Sequence, residues 1–348
     1  MTRRIKVGDI YIGGGAPISI QSMTNTPTHD VRATVEQINA LAEAGCDIVR
    51  FAVNNSQSAS AVRDIVDRVD IPTVADIHFD YKLAITAMEN GISKVRINPG
   101  NIGDESRVKA VIDCAKMHSV PIRIGVNSGS IDKDISAQYG NSAEALVNSA
   151  LRHVEILERY GFYDVVISVK ASDTKRTIEA NRILAKRCDY PLHIGVTEAG
   201  LGEDSLVKSS VALGSLIVDG IGDTMRVSMT GDPIQEIYSA RQILRACGVD
   251  KQYVEIVSCP TCARTEINCE QIVARLKERY ATVRKPLKVA VMGCVVNGIG
   301  EGKDSDIGCA GGKDKSAIFA GGEIIATVDN ENLYDTLVKM IDERLSDK

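Results

Sequence analysis

Asp47-Ile-Val-Arg-Phe-Ala-Val53, Ser58-Ala-Ser-Ala-Val-Arg-Asp-Ile-Val-Asp-Arg-Val69 and Ile71-Pro-Thr-Val-Ala-Asp-Ile-His78 decide the fold. The first and third are short β-rich runs, and the segment between them has a helical pattern. The same alternation continues on both sides. Further β-rich runs lie at 18–23, 94–99, 121–127, 164–170, 191–197 and 220–229. Helical patterns fill the gaps, at 31–44, 81–90, 105–118, 143–160, 174–188, 205–213 and 233–247. In the first of these, Val35, Ile38, Leu41 and Ala42 recur at helical spacing. Several patterns end before a glycine, at Gly45, Gly91, Gly161, Gly214 and Gly248, where a left-handed residue stops a helix. Eight strand–helix units in about 245 residues match the size of a (β/α)8 TIM barrel. A doubly wound open sheet is the competing arrangement, and it calls for a glycine-rich dinucleotide turn after the first strand. Gly13-Gly14-Gly15 precedes that strand and reads as a simple turn. The expected fold is therefore α/β: a barrel over residues 1–248, followed by a small α/β domain over 249–348.

The totals agree with two domains. The chain has 348 residues, 44% of them hydrophobic and 25% charged, an ordinary globular balance. Its 41 basic and 46 acidic side chains leave a net charge of −5. No overall positive field gathers nucleic acid, so any anion site must be built locally from a few placed cations. The start lacks the apolar run of a signal peptide, and no apolar stretch is long enough to span a membrane, so a cytoplasmic protein is expected.

Barrels place their chemistry at the C-terminal ends of the strands. Those ends carry Arg50, Asp76 and His78, Arg96 and Asn98, Arg123 and Asn127, Lys170, Glu198, and Arg226 with Ser228. A single arginine there reads as a side chain that snorkels outward or pairs with a neighbouring acid. Five cations on separate strands are harder to place, because a charge inside a sheet costs several kcal/mol unless it is paired. Only Asp76 and Glu198 are at hand in these motifs. A small phosphate ester or diphosphate is the guest that fits, since guanidinium matches phosphate oxygens bidentately. His78 reads equally as a structural histidine or as a catalyst oriented by Asp76. Glu198, among cations, suits charge stabilisation. Asn98 and Asn127 read equally as turn caps.

Nine cysteines need a reason in a reducing compartment. Cys46, Cys114, Cys188 and Cys247 are scattered, whereas Cys259, Cys262, Cys269, Cys294 and Cys309 crowd toward the C-terminus. There the pattern is strand 253–258, helix 268–280, strand 287–292, strand 323–328 and helix 331–345. Cys259-Pro-Thr-Cys262 alone would serve zinc or a redox dithiol. Two features favour an iron–sulfur cluster. Cys294 leaves a hydrophobic strand into a glycine-rich loop whose amides can donate to sulfur, and no second C-x-x-C or C-x-x-H pair completes a zinc ribbon. Spacing leaves the fourth ligand open: Cys309 and Cys269 are thiols within reach, and both read equally as small buried hydrophobes.

These motifs together resemble the bacterial 4-hydroxy-3-methylbut-2-enyl diphosphate synthase family in its short two-domain form. The resemblance covers essentially the whole chain. It rests on Ile20-Gln-Ser-Met23, Val-Arg50, Ala-Asp76-Ile-His78-Phe, Arg96-Ile-Asn-Pro-Gly100, Arg123-Ile-Gly-Val-Asn127-Ser-Gly, Gly-Val-Thr-Glu198-Ala-Gly, Gly-Asp-Thr-Met-Arg226-Val-Ser228, Cys-Pro-Thr-Cys262 and Gly-Cys294-Val-Val-Asn-Gly. It implies a [4Fe-4S] cluster on Cys259, Cys262 and Cys294, with Glu301 rather than Cys309 as fourth ligand. It implies that 2-C-methyl-D-erythritol 2,4-cyclodiphosphate binds Arg50, Arg96, Arg123, Asn127, Lys170, Arg226 and Ser228, with Glu198 in a catalytic role and Asp76 and His78 nearby. It further implies reductive ring opening with electrons from ferredoxin or flavodoxin, and a head-to-tail homodimer. One departure is Ile299, where the family commonly has proline. A phosphosugar lyase or aldolase with a structural zinc domain is the alternative from another class, and a non-enzymatic metal-binding module stands behind it.

Overall fold

The computed structural model describes residues 1–346. The chain forms two compact units, Met1–Cys247 and the part from Gly248 onward.

In the first unit eight parallel strands form one sheet: β1 (Ser19–Met23), β2 (Ile48–Ala52), β3 (Thr73–Asp76), β4 (Lys94–Ile97), β5 (Ile122–Asn127), β6 (Val165–Lys170), β7 (His193–Gly195) and β8 (Thr224–Arg226). Their order is β6-β5-β4-β3-β2-β1-β8-β7. A parallel bridge between Ile167 and Leu192 joins the two ends, so the barrel expected from the sequence closes. The helices follow the strands: α1 (Val31–Glu43), α2 (Ser56–Val66), α3 (Tyr81–Glu89), α4 (Glu105–His118), a short α5 (Lys133–Tyr139), α6 (Ala143–Arg159), α7 (Thr174–Arg187), α8 (Gly202–Val218) and α9 (Pro233–Ala246).

Alternation along each strand divides the labour. Val49 and Phe51, Val95 and Ile97, Ile122 and Ile124, and Val165 and Ile167 pack outward into one core with Ile38, Leu41, Val62 and Ile65 of the helices. Each such side chain fully buried contributes about 1.5–3 kcal/mol. The intervening positions point into the barrel, and these are the ones that carry charge. The helices begin at side-chain caps: Asp30, Asn55, Asp80, Asp104, Ser142, Asp173 and Asp232 each accept a hydrogen bond from a backbone N–H of the first turn. A cap of this kind is worth about 1 kcal/mol, and together they fix where the chain turns from strand end to helix.

Four of the five glycine stops are left-handed, at Gly45, Gly91, Gly161 and Gly248. Gly214 is not a stop. It lies inside α8, where a Cβ would make only an ordinary contact with Cys247 Sγ at 3.8 Å, so neither conformation nor space requires glycine there. The sequence reading also passed over α5 and an N-terminal hairpin, Ile5–Val7 with Ile10–Ile12. Ile5, Val7 and Ile12 pack on Ile48, Val74 and Val166 and so plug the N-terminal end of the barrel.

The second unit has one five-stranded sheet: β9 (Val254–Ser258), β10 (Leu287–Met292), β11 (Ile307–Ala310), β12 (Lys315–Ala320) and β13 (Glu323–Asp329), in that spatial order. The first three are parallel and the last two are added antiparallel. One face packs Val289, Val291, Ile307 and Cys309 against Leu276 of α10 (Cys269–Arg279) and Leu337 and Ile341 of α12 (Leu333–Ser346). The other face packs Ala290, Met292, Ala310 and Phe319 with Ile299 of α11 (Val295–Glu301). Strands β11 and β12 were not anticipated, because Ile-Gly-Cys-Ala is too short and too small to read as a strand by pattern. Among the described residues no helix is long and apolar enough to cross a membrane.

Candidate active site

Inward positions at the C-terminal ends of the barrel strands enclose a cavity of about 270 Å³ lined by Met23, Arg50, Asp76, His78, Arg96, Arg123, Gly125, Asn127, Ser168, Lys170, Thr197, Arg226 and Ser228. All five cations singled out in the sequence meet here. A larger cavity of about 520 Å³ lies beside Arg4, Tyr11 and Pro17 near the hairpin. It gathers no comparable set of charges, so the smaller cavity is the site.

The cations differ in how they are held. Arg96 donates to Asp76 at 3.1 Å, and Arg50 lies 3.8 Å from the other oxygen of that carboxylate. Burial alone would raise the Asp76 carboxyl, but Arg50, the His78 hydrogen bond and Arg96 together hold it well below the usual range. His78 Nε2 is 3.4 Å from Asp76, and its ring is half exposed. Arg123, by contrast, is 1% exposed, and its Nε and Nη2 have no hydrogen-bond partner among the described residues. Lys170 is buried, and burial followed by the fields of Arg123, Arg50, Arg226 and Arg96 pulls its amine well below the ordinary range.

Two glycines make room for this charge. A Cβ on Gly125 would come within 2.7 Å of Arg96 Nε, and one on Gly195 within 2.6 Å of Lys170 Nζ. Each occupies an inward strand position, vacated so that a long cation can cross the barrel. Asn98 caps its own turn by accepting from Gly100 N–H at 3.1 Å, while Asn127 lines the cavity. Glu198 is exposed at the end of the turn after β7, on a left-handed backbone with φ 55° that a non-glycine residue adopts at some cost.

In the second unit, Cys259 follows β9 and Cys294 follows β10, so parallel pairing brings both to the same end of the sheet, beyond the C-termini of the two strands. Gly293 N–H donates to Cys259 Sγ at 3.1 Å. Cys262 is exposed, and the backbone N–H and side chain of Arg264 lower its thiol. Cys269 is buried, and burial, then neighbouring Cys259, pushes its thiol up to about 11. Cys309 is wholly buried in β11, and burial pushes its thiol up to about 12. All nine cysteines are free. Among the described residues no three His, Cys, Asp or Glu side chains close into a metal-binding group. The donor chemistry nevertheless suits an iron–sulfur cluster: accessible thiols at one end of the sheet, a backbone N–H aimed at sulfur, and a lowered thiol in the Cys-x-x-Cys turn.

Comparison with known proteins divides the chain at the same place. Residues 2–241 match the model of the GcpE TIM-barrel domain, and residues 255–343 match the GcpE protein C-terminal domain. The chain belongs to the GcpE family. A protein of Caldanaerobacter subterraneus subsp. tengcongensis, named 4-hydroxy-3-methylbut-2-en-1-yl diphosphate synthase (flavodoxin), is 52% identical over 349 residues, covering 100% of this chain and 98% of that one. One of the same name from Clostridium perfringens is 53% identical over 342 residues, covering 98% of each. Among solved structures, dihydropteroate synthase from Stenotrophomonas maltophilia superposes with a TM-score of 0.52 at 14% identity, covering 71% of this chain and 98% of that one. N-acetylneuraminic acid synthetase from Leptospira borgpetersenii gives 0.51 at 13% identity, covering 81% and 99%. These two share the fold alone.

Within this GcpE-family barrel the sequence reading needs one correction. The acids that pair with the ring are Asp76 and Glu236, not Asp76 and Glu198. Glu236 is 2% exposed in the first turn of α9, 2.9 Å from Arg226 Nη2, and it also accepts from Ser22 Oγ and Met229 N–H. A search of strand ends could not find it. The available signal was Asp232-Pro233, which starts a helix at the barrel mouth and places an acid three residues in. Glu236→Ala is expected to destabilise the fold by roughly 3–5 kcal/mol, the usual cost of stranding a buried charge. Denaturant unfolding beside Glu236→Gln, which keeps the shape and most hydrogen bonds, checks this.

Proposed function

We propose that this chain is an iron–sulfur 4-hydroxy-3-methylbut-2-en-1-yl diphosphate synthase that opens 2-C-methyl-D-erythritol 2,4-cyclodiphosphate reductively, with flavodoxin as electron donor. The observation that carries the reading is the ring of buried cations around Arg123, whose Nε and Nη2 have no hydrogen-bond partner among the described residues. Unpaired buried charge is tolerated where a guest completes it. Arg50, Arg96, Arg123, Lys170 and Arg226 would hold the diphosphate, with Asn127 and Ser228 fixing its orientation. Asp76 keeps Arg50 and Arg96 aimed into the cavity and orients His78. The left-handed backbone at Glu198 supports a role in presenting that carboxylate at the reacting end. The relatives' names and the ordered motifs favour this reading over a zinc-stapled phosphosugar lyase.

The reaction consumes two electrons and breaks a ring C–O bond, and one hydroxyl leaves as water. A [4Fe-4S] cluster, when bound, supplies single electrons and Lewis acidity toward the substrate oxygen. Cys259, Cys262 and Cys294 would hold it, with Glu301 as the fourth ligand. Cys294 is the N-cap of α11 and Glu301 its last residue, so one short helix separates the two. Glu301 is exposed, whereas Cys309 is buried in the sheet core.

Anaerobic purification with iron, sulfide and zinc analysis, followed by turnover with reduced flavodoxin, tests the proposal. Brown protein with about four irons per chain is the expected result, and zinc alone would overturn it. Cys309→Ser should keep iron content and turnover. Glu301→Ala should lose most activity and show a labile cluster or altered resting spectrum, and the reverse pattern would make Cys309 the ligand.

A further inference from the structure

Met23 lines the cavity, yet the proposed chemistry gives it no part. It is the last residue of β1, which lies between β2 and β8 in the sheet. Met23 is the register partner of Arg50 on β2, and Arg226 ends β8 on the other side. Neighbouring strands therefore deliver a guanidinium, a thioether and a second guanidinium to the same end of the barrel.

These side chains meet at the sulfur. Arg50 donates to Met23 Sδ from Nε at 3.2 Å and from Nη2 at 2.9 Å. Arg226 directs Nη1 at the same atom from 3.8 Å. The other edge of Arg226 is taken by Glu236, with Nε 3.1 Å from Oε2 and Nη2 2.9 Å from Oε1. The Asp76 carboxylate is 3.8 Å from Arg50 Nε, too far for a hydrogen bond. Among the described residues the sulfur is thus the acceptor that the Arg50 side chain has. The edge made by Nε and Nη2 is also the one with which a guanidinium grips phosphate through parallel bonds.

A thioether suits this place physically. It is a weak acceptor, so it holds the donors without cancelling their charge, as a carboxylate would. Leucine of similar bulk would leave the N–H groups of Arg50 with no acceptor in a largely buried site. The unbranched side chain can also withdraw, because it turns about several single bonds. Charge-assisted bonds to a phosphate oxygen outweigh the weak bonds that are given up.

We propose that Met23 is a positioning residue for the diphosphate: its sulfur gathers the donor edges of Arg50 and Arg226 onto one point, and a phosphate oxygen takes over that point when the substrate binds. Arginines already aimed lose less freedom on binding, and the gain appears as affinity. The inference rests on the diphosphate reading of the cavity.

Met23→Leu keeps the volume and removes the acceptor, a swap that packed interiors tolerate. Turnover of the cluster-loaded variant with 2-C-methyl-D-erythritol 2,4-cyclodiphosphate and reduced flavodoxin should show KM raised about three- to tenfold. Its kcat should stay within about twofold of the wild type, because the bonds lost act equally on bound substrate and transition state. Calorimetry without reductant should show the same loss of affinity. In an Arg50→Lys background, Met23→Leu should change affinity by less than about twofold, since the group it aims is gone. The exchange of sulfur for phosphate is read from enzyme labelled with carbon-13 in its methionine methyls. The Met23 signal, assigned through Met23→Leu or, if that variant does not fold, through Met23→Gln, should move when the cyclodiphosphate is added. Unchanged KM in Met23→Leu, an effect that adds in full to that of Arg50→Lys, or a Met23 signal unmoved at saturating cyclodiphosphate overturns the proposal. A wild type that binds no cyclodiphosphate overturns the diphosphate reading itself, an outcome distinct from binding that leaves Met23 in place.

Discussion

Cys294→Ser is expected to reduce turnover to background and to strip most of the iron. Serine replaces a soft thiolate by a hard hydroxyl that stays protonated at neutral pH, and at this position no other thiol is ready to substitute. Cys269 is buried and its thiol is pushed up to about 11, and Cys309 is wholly buried. Cys309 cannot leave the sheet core without unpacking it, and Cys269, although it lies beside Cys259 and Gly293, carries a thiol raised by burial and by that neighbour. The checks are iron and sulfide content, the visible spectrum and turnover with reduced flavodoxin. Full iron content in the variant would remove Cys294 from the ligand set. The same variant tests the head-to-tail homodimer that the family resemblance implies. Mixed with Arg123→Ala chains, it should regain activity, because the two lesions then fall in one site of the mixed dimer and leave the other intact. No activity above the separate variants, with subunit exchange proven, would exclude sites shared between chains.

Arg123→Ala should weaken binding of the cyclodiphosphate ten- to hundredfold. A hydrogen bond to a charged group is worth about 1.5–3 kcal/mol, and each 1.4 kcal/mol is a factor of about ten in affinity. The free protein should respond differently. Arg123 Nε and Nη2 have no hydrogen-bond partner among the described residues, so removing the guanidinium relieves the repulsion it shares with Arg50, Arg96 and Arg226. Alanine leaves a cavity that obscures this gain; Arg123→Met fills the space and should melt at or above the wild-type temperature. Calorimetry of binding beside thermal melts separates the two effects. Normal affinity with a large loss of melting temperature would mean that Arg123 is a structural cation and that the ring was not built for a guest.

Legibility in the sequence followed the range of the interaction. The eight barrel strands were read to within a few residues because each is a local run with a fixed period, bracketed by capping residues and left-handed glycines such as Gly45 and Gly91. Arg50, Arg96, Arg123, Lys170 and Arg226 were visible because a cation in an apolar strand breaks the pattern. Lys94, buried inside the barrel, was passed over because it opens its strand, where a lysine reads as an exposed flank. The hairpin at Ile5–Ile12 went unread although its residues alternate; it becomes necessary only once the barrel has an open end to plug.

By itself the sequence determined the periodicity, the helix starts and stops, and which strands end in charge, since these depend on backbone conformation and on burial within a few residues. Which charges are paired was decided only by closing the barrel. Ser22 on β1 and Glu236 on α9, separated by 214 positions, come to 2.8 Å. Through that contact Arg226 gains a carboxylate while Arg123 and Lys94 are left with none. Ion pairs and desolvation act through space at a few ångströms, and a one-dimensional pattern does not encode that distance until the fold brings the groups together.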